Sequence, residues 1–234
     1  MSFIVLEVIP RWGVREPFST FSHLLGAVLG LAALAALVWR ARQRGMGTGG
    51  IWALAVYSIS MAVGFTASAL FHGKMVPYEE LVFFKKLDHA AIFVMIAGTG
   101  TALYGALHTR WAGPVMGVLW VVCMGALIIK MIAWPMTLPL TALMYVTVGW
   151  CTLLGLFAIV RAIGWRRVRP LFLGAAVLTV GAAVFALRWP VLWPGVIEGH
   201  EVFHLFVLAG ASIHFWFIYN ICTFPRALNP ARAS

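Results

Sequence analysis

The sequence predicts an all-α polytopic membrane protein, a bundle of seven transmembrane helices. Three observations carry that prediction. The 234 residues are 62% hydrophobic and 10% charged, whereas a soluble domain carries roughly a quarter charged residues. The apolar residues fall into stretches of about 20, the length at which a helix crosses a bilayer. The connections between the stretches are short and polar. A chain so poor in polar residues cannot cover a globular surface in water and needs lipid as solvent.

Each span has its own signal. The first runs from about Phe18 to Trp39 and stops at Arg40, Arg42 and Arg44. The second covers Ile51 to His72, the third Leu87 to Leu107 and the fourth Trp111 to Ala133. Pro135 and Pro139 mark the next turn, after which the fifth covers Leu140 to Ile163. The sixth covers Pro170 to Leu187 and the seventh His200 to Phe224. Residues 1–17 read as an N-terminal segment, 18–224 as the transmembrane domain and 225–234 as a tail. Small residues within the spans, as in VLGLAALAAL and GAAVLTVGAA, let helix backbones approach where lipid offers no hydrophobic drive. The formal net charge of +10 sits in short loops, which suits membrane orientation and anionic headgroups rather than nucleic acid. Cys123, Cys151 and Cys222 are odd in number and form no CxxC pair, so structural thiols are expected. The N-terminus has no basic run before its apolar residues, and no cleavable signal peptide is expected.

Ionisable residues inside a span are the informative ones, because placing one there costs on the order of 2.5–3.5 kcal/mol. Counting spans from the N-terminus sets His23, His72, Asp88, His89, His200 and His204 on one membrane side, although they come from distant parts of the chain. His200 and His204 are i and i+4, so both face one side of a helix. Two imidazoles at that spacing can reach one metal ion. With His72 they make three neutral nitrogen donors, which suit zinc and leave its fourth tetrahedral position for water. Asp88 is placed to act as general base on that water. Ser68, one turn before His72, is placed to donate to an oxyanion or to orient Asp88. His89 points about 100° away from Asp88 around the helix and reads as a packing residue. Glu201 lies off the His200 and His204 face, His214 reads as a buried hydrogen-bonding residue, and Lys130 is expected to snorkel toward the headgroups.

Four blocks resemble the bacterial hemolysin III proteins, within the larger progestin and adipoQ receptor family: EPFSTFSHLLGAVLG, SALFH, LDHAAIFVMIAGT and GHEVFHLFVLAG. The resemblance runs from about Glu16 to Phe224. It implies a zinc site of His72, His200 and His204, with Asp88 reaching the ion through water and Ser68 beside it. It also implies an integral protein of the bacterial inner membrane. The adiponectin receptors and the distantly similar alkaline ceramidases associate this constellation with hydrolysis of lipid amides. The first block departs from the family pattern: Arg15, Glu16, Ser19, Ser22 and His23 stand where relatives have paired acids, Asn and Thr-His. The third span also lacks the family's Pro after IAGT, having Gly100, Thr101 and Ala102.

Three functions follow as expectations: a zinc-dependent hydrolase of a membrane lipid amide or ester, a non-enzymatic receptor-like or membrane-homeostasis protein with structural zinc, and a cytolytic channel. No polar pore-lining stripe speaks for the third. Orientation has two opposed indications. Seven basic residues lie on the side of the N-terminus against ten opposite, which puts the metal side outside the cytoplasm. The receptor relatives have that side inside.

Overall fold

The computed structural model describes residues 10–105 and 112–223. The tail at 225–234, the end of the third expected span and the start of the fourth lie outside them, as does the side chain of Cys222. The described residues form α1 (Pro17–Gln43), α2 (Thr48–Gly73), α3 (Tyr78–Gly105), α4 (Ala112–Ile132), α5 (Leu138–Cys151), α6 (Leu156–Ile163), α7 (Trp165–Leu187) and α8 (Gly199–Phe217), the last running into a π-helical turn, Ile218–Cys222. Five are long and apolar enough to cross a membrane: α1, α2, α4, α7, and α8 with its π turn. The bundle is membrane-embedded and all-helical, as the composition predicts.

One of the expected spans is interrupted in the structure. The expected fifth span is broken into α5, of 14 residues, and α6, of 8. A break inside an apolar run exposes backbone polar groups, which lipid cannot satisfy. Tyr104 of α3 does so instead. Its hydroxyl donates to the Thr152 carbonyl at 2.6 Å and accepts from the Gly155 N–H at 2.8 Å. The third helix also starts earlier than expected, because Glu79 and Glu80 fill its first turn, where carboxylates favour the positive end of the helix dipole.

α2 is the central helix. Within its apolar window 72% is buried, against 17% for α4, so α4 faces lipid while α2 is packed on several sides. α1 meets α2 backbone to backbone: a Cβ on Gly30 would stand 2.8 Å from the Ala62 nitrogen. A core of Leu37, Leu54, Phe65, Tyr104 and Phe217 fills the bundle between these helices. Lys130 does not snorkel. It is 1% exposed, donates to Thr141 at 2.6 Å and lies 5.4 Å from the Trp134 ring centroid. A hydroxyl and an aromatic face close by solvate the ammonium locally, so it has no need to reach the headgroups.

Candidate metal centre

The site lies where the end of α2 meets the start of α8. His72 occupies the last turn of α2 and is 1% exposed. The chain entering α1 is stitched to that turn. Arg15 and Glu16 donate their backbone N–H groups to the Gly73 and His72 carbonyls, and the Arg15 guanidinium donates to the Phe71 carbonyl at 2.8 Å. These are carbonyls that a helix end leaves without intrahelical partners. The stitching sets the Glu16 carboxylate against His72 Nδ1, with Arg15 on its other oxygen. Burial raises the Glu16 carboxyl above its ordinary pKa, and the Arg15 charge opposes that rise.

His200 and His204 occupy the first turns of α8. A capping box holds that end: Glu198 accepts from the Glu201 backbone N–H, and Glu201 accepts from the Glu198 backbone N–H at 3.0 Å. This satisfies two orphan donors reciprocally. The second Glu201 oxygen accepts from Ser19 at 3.0 Å, which ties α8 to α1. Glu201 is thus a capping residue, off the imidazole face as its position predicts. Gly199 has no room for a side chain, since a Cβ there would meet the Trp189 nitrogen at 2.6 Å. The end of α7 and the start of α8 are therefore locked together, and His200 is fixed by that contact.

These constraints bring one ring nitrogen each from His72, His200 and His204 within 4.8 Å of one another. His72 Nε2 is 3.3 Å from His200 Nε2. The three nitrogens are close enough together to hold one metal ion. Glu16 accepting at Nδ1 fixes the His72 tautomer and turns the Nε2 lone pair toward the other two rings, the outer-shell arrangement usual for a metal-ligating histidine. Sequence reasoning left the role of Glu16 open. The pairing joins residues 56 apart, and no spacing rule connects them.

Ser68 and Asp88 are neighbours and line a cavity of about 190 Å³ together with His23, His200 and His204. Neither belongs to the three-imidazole group. His89 accepts or donates at Nδ1 with the Tyr145 hydroxyl, 2.7 Å away, consistent with a packing role. His214 donates to the Leu171 carbonyl at 3.2 Å, the hydrogen-bonding role expected of it. A second, wider cavity of about 880 Å³ opens on the other side of His72 and His200, past Arg15, Glu16 and Arg188. Cys123 is a buried free thiol and Cys151 a half-buried one.

Comparison with known proteins agrees with the sequence blocks. A family model described as Haemolysin-III related matches residues 12–215. The Hemolysin-3 of Bacillus cereus is 28% identical over 203 residues, covering 86% of this chain and 89% of the relative. The Hemolysin-3 homolog of Bacillus subtilis (strain 168) is 24% identical over 209 residues, covering 89% and 94%.

Proposed function

This chain belongs to the Haemolysin-III related family and is an integral protein of the bacterial plasma membrane; from that footing, we propose that it is a zinc-dependent hydrolase of a membrane lipid amide or ester. The observation that supports this most is the convergence of His72, His200 and His204 within 4.8 Å. Three neutral nitrogen donors favour zinc over the hard, oxygen-seeking cations. A three-ligand set is the pattern of catalytic zinc rather than of closed structural sites. When bound, zinc supplies Lewis-acid activation of water and polarisation of a carbonyl.

The protein's own residues do the rest. Asp88 accepts the proton that water loses as it adds to the carbonyl carbon. It then delivers that proton to the leaving nitrogen or oxygen as the scissile bond breaks. Ser68 donates a hydrogen bond to Asp88 and holds it in place. Glu16 keeps the His72 ring oriented. The apolar walls of the inner cavity, among them Met61, Met95 and Leu178, suit an acyl chain.

Elemental analysis of the purified full-length protein tests the metal reading. One zinc per chain is expected in the wild type and none in His200→Ala plus His204→Ala. Asp88→Ala is expected to keep zinc and to lose hydrolysis across a panel of lipid amides and esters. Full turnover by Asp88→Ala, or a wild type without zinc, overturns the proposal. A second reading, a zinc clamp without turnover, draws support from Glu16, which adds α1 to the helices the ion would join. It predicts that chelation lowers thermal stability with no product under any substrate. A lytic reading predicts liposome leakage that survives His72→Ala.

A further inference from the structure

His23 is the imidazole of this cluster that the three-donor group leaves out. It lies on α1, is 5% exposed, and is part of the wall of the 190 Å³ cavity. Its ring stacks on His204, with centroids 3.8 Å apart and planes 23° from parallel, and the Phe65 ring meets it edgewise at 5.2 Å. An imidazole offers its lone pair in the ring plane. Two rings stacked nearly parallel direct those lone pairs side by side, so His23 and His204 do not share an ion. Yet neither His23 nitrogen has a hydrogen-bond partner among the described residues. Leaving a buried polar group unpaired costs about 1–3 kcal/mol, and packing by His204 and Phe65 prevents the ring from turning away.

We propose that His23 is a substrate-positioning residue, whose ring N–H donates to a carbonyl or hydroxyl oxygen in the uncharged head of an amphiphile held in this cavity. This rests on the cavity taking the lipid amide or ester proposed above. The head is uncharged because, among the described residues, the cavity wall carries no Lys or Arg, and its one carboxylate is Asp88. An anionic head would meet that carboxylate, and the offsetting charge nearby is the ion at His200 and His204, which the hydrolase reading reserves for water and the scissile carbonyl. The ring's second nitrogen accepts from an N–H or O–H of the same head, or from water.

The test uses the full chain in nanodiscs, with zinc measured on every sample and binding read by native mass spectrometry immediately on mixing, where bound amide and any dodecanoate released from it differ in mass. The probes are N-dodecanoylethanolamine, an uncharged amide, and dodecanoate, its anionic counterpart. The wild type is expected to prefer the amide. His23→Phe is expected to weaken it about tenfold, the equivalent of one buried hydrogen bond, with zinc content unchanged. His23→Gln, which keeps a donor and an acceptor, is expected to recover most of that loss. Unchanged amide binding in His23→Phe overturns the proposal, as does a wild type that prefers dodecanoate. Loss of zinc from His23→Phe also overturns it, since the ring would then only pack the metal site. A zinc-free wild type sinks the hydrolase reading instead, and leaves the His23 comparison interpretable on its own.

Discussion

Removing the Glu16 carboxylate should loosen the metal without touching a ligand. In Glu16→Ala, His72 Nδ1 loses its acceptor on a ring that is 1% exposed in the intact protein. Arg15 keeps the Phe71 carbonyl and lies 4.8 Å from the Phe71 ring centroid, so the stitching of α1 to α2 survives in part. The cost of an unpaired buried donor is about 1–3 kcal/mol. Loss of an outer-shell partner typically lowers metal affinity by about 10–100-fold, or about 1.4–2.7 kcal/mol at 1.36 kcal/mol per decade. The two routes agree. Glu16→Gln keeps an oxygen acceptor at the same reach but not its charge, so it should fall between wild type and Ala. Competition with a calibrated zinc chelator, on protein in nanodiscs at fixed pH, measures the series. Affinity in Glu16→Ala within twofold of wild type would show that Glu16 does not orient His72, and the outer-shell argument would fail.

Other perturbations probe the scaffold. Tyr104→Phe strips two hydrogen bonds from the break between α5 and α6; a loss of about 1–3 kcal/mol should appear in chemical denaturation, with faster hydrogen exchange at residues 152–155, and an unchanged exchange pattern would refute it. Gly30→Val should cost about 1–3 kcal/mol through overpacking, because the Ala62 backbone, 2.8 Å from where the new Cβ would stand, cannot yield; an unaltered melting temperature counts against close α1–α2 packing. Thr141→Val removes the hydroxyl that Lys130 donates to at 2.6 Å and should lower stability by about 1–3 kcal/mol, while Lys130→Met in the same background should restore it. Failure of that restoration in thermal melts would mean the ammonium is solvated by something other than Thr141.

The sequence made the bundle and the imidazole triad legible for different reasons. Apolar stretches of spanning length admit little but helices in lipid, and the i, i+4 spacing of His200 and His204 survives any packing of the helix that carries it. The break at residues 152–155 left no such mark. That stretch has no Pro, and the group that satisfies it, Tyr104, is some 50 residues away in the chain. Glu16 was equally hidden, since its partner His72 lies on another helix. His23 could be placed on the right membrane side by counting spans, but its stacking on His204 depends on how α1 leans against α8. Lys130 misled because length and charge suggest an outward reach, and only the fold shows a hydroxyl and an indole already within range.

The three imidazoles are supplied by residue 72 and by residues 200 and 204, the nearer of which lies 128 residues further along the chain. During synthesis the first of them enters the bilayer long before the other two exist. On the metal reading, the nascent protein would pass through most of its insertion without the full donor set, and loading would follow only once α8 had docked against α7 and α1. Metal uptake would then be a checkpoint on completed assembly: a copy truncated before α8, or one whose last helix inserts the wrong way round, would keep only one of the three imidazoles and stay empty. Cells starved of the ion would then accumulate inserted but unloaded chains rather than misinserted ones.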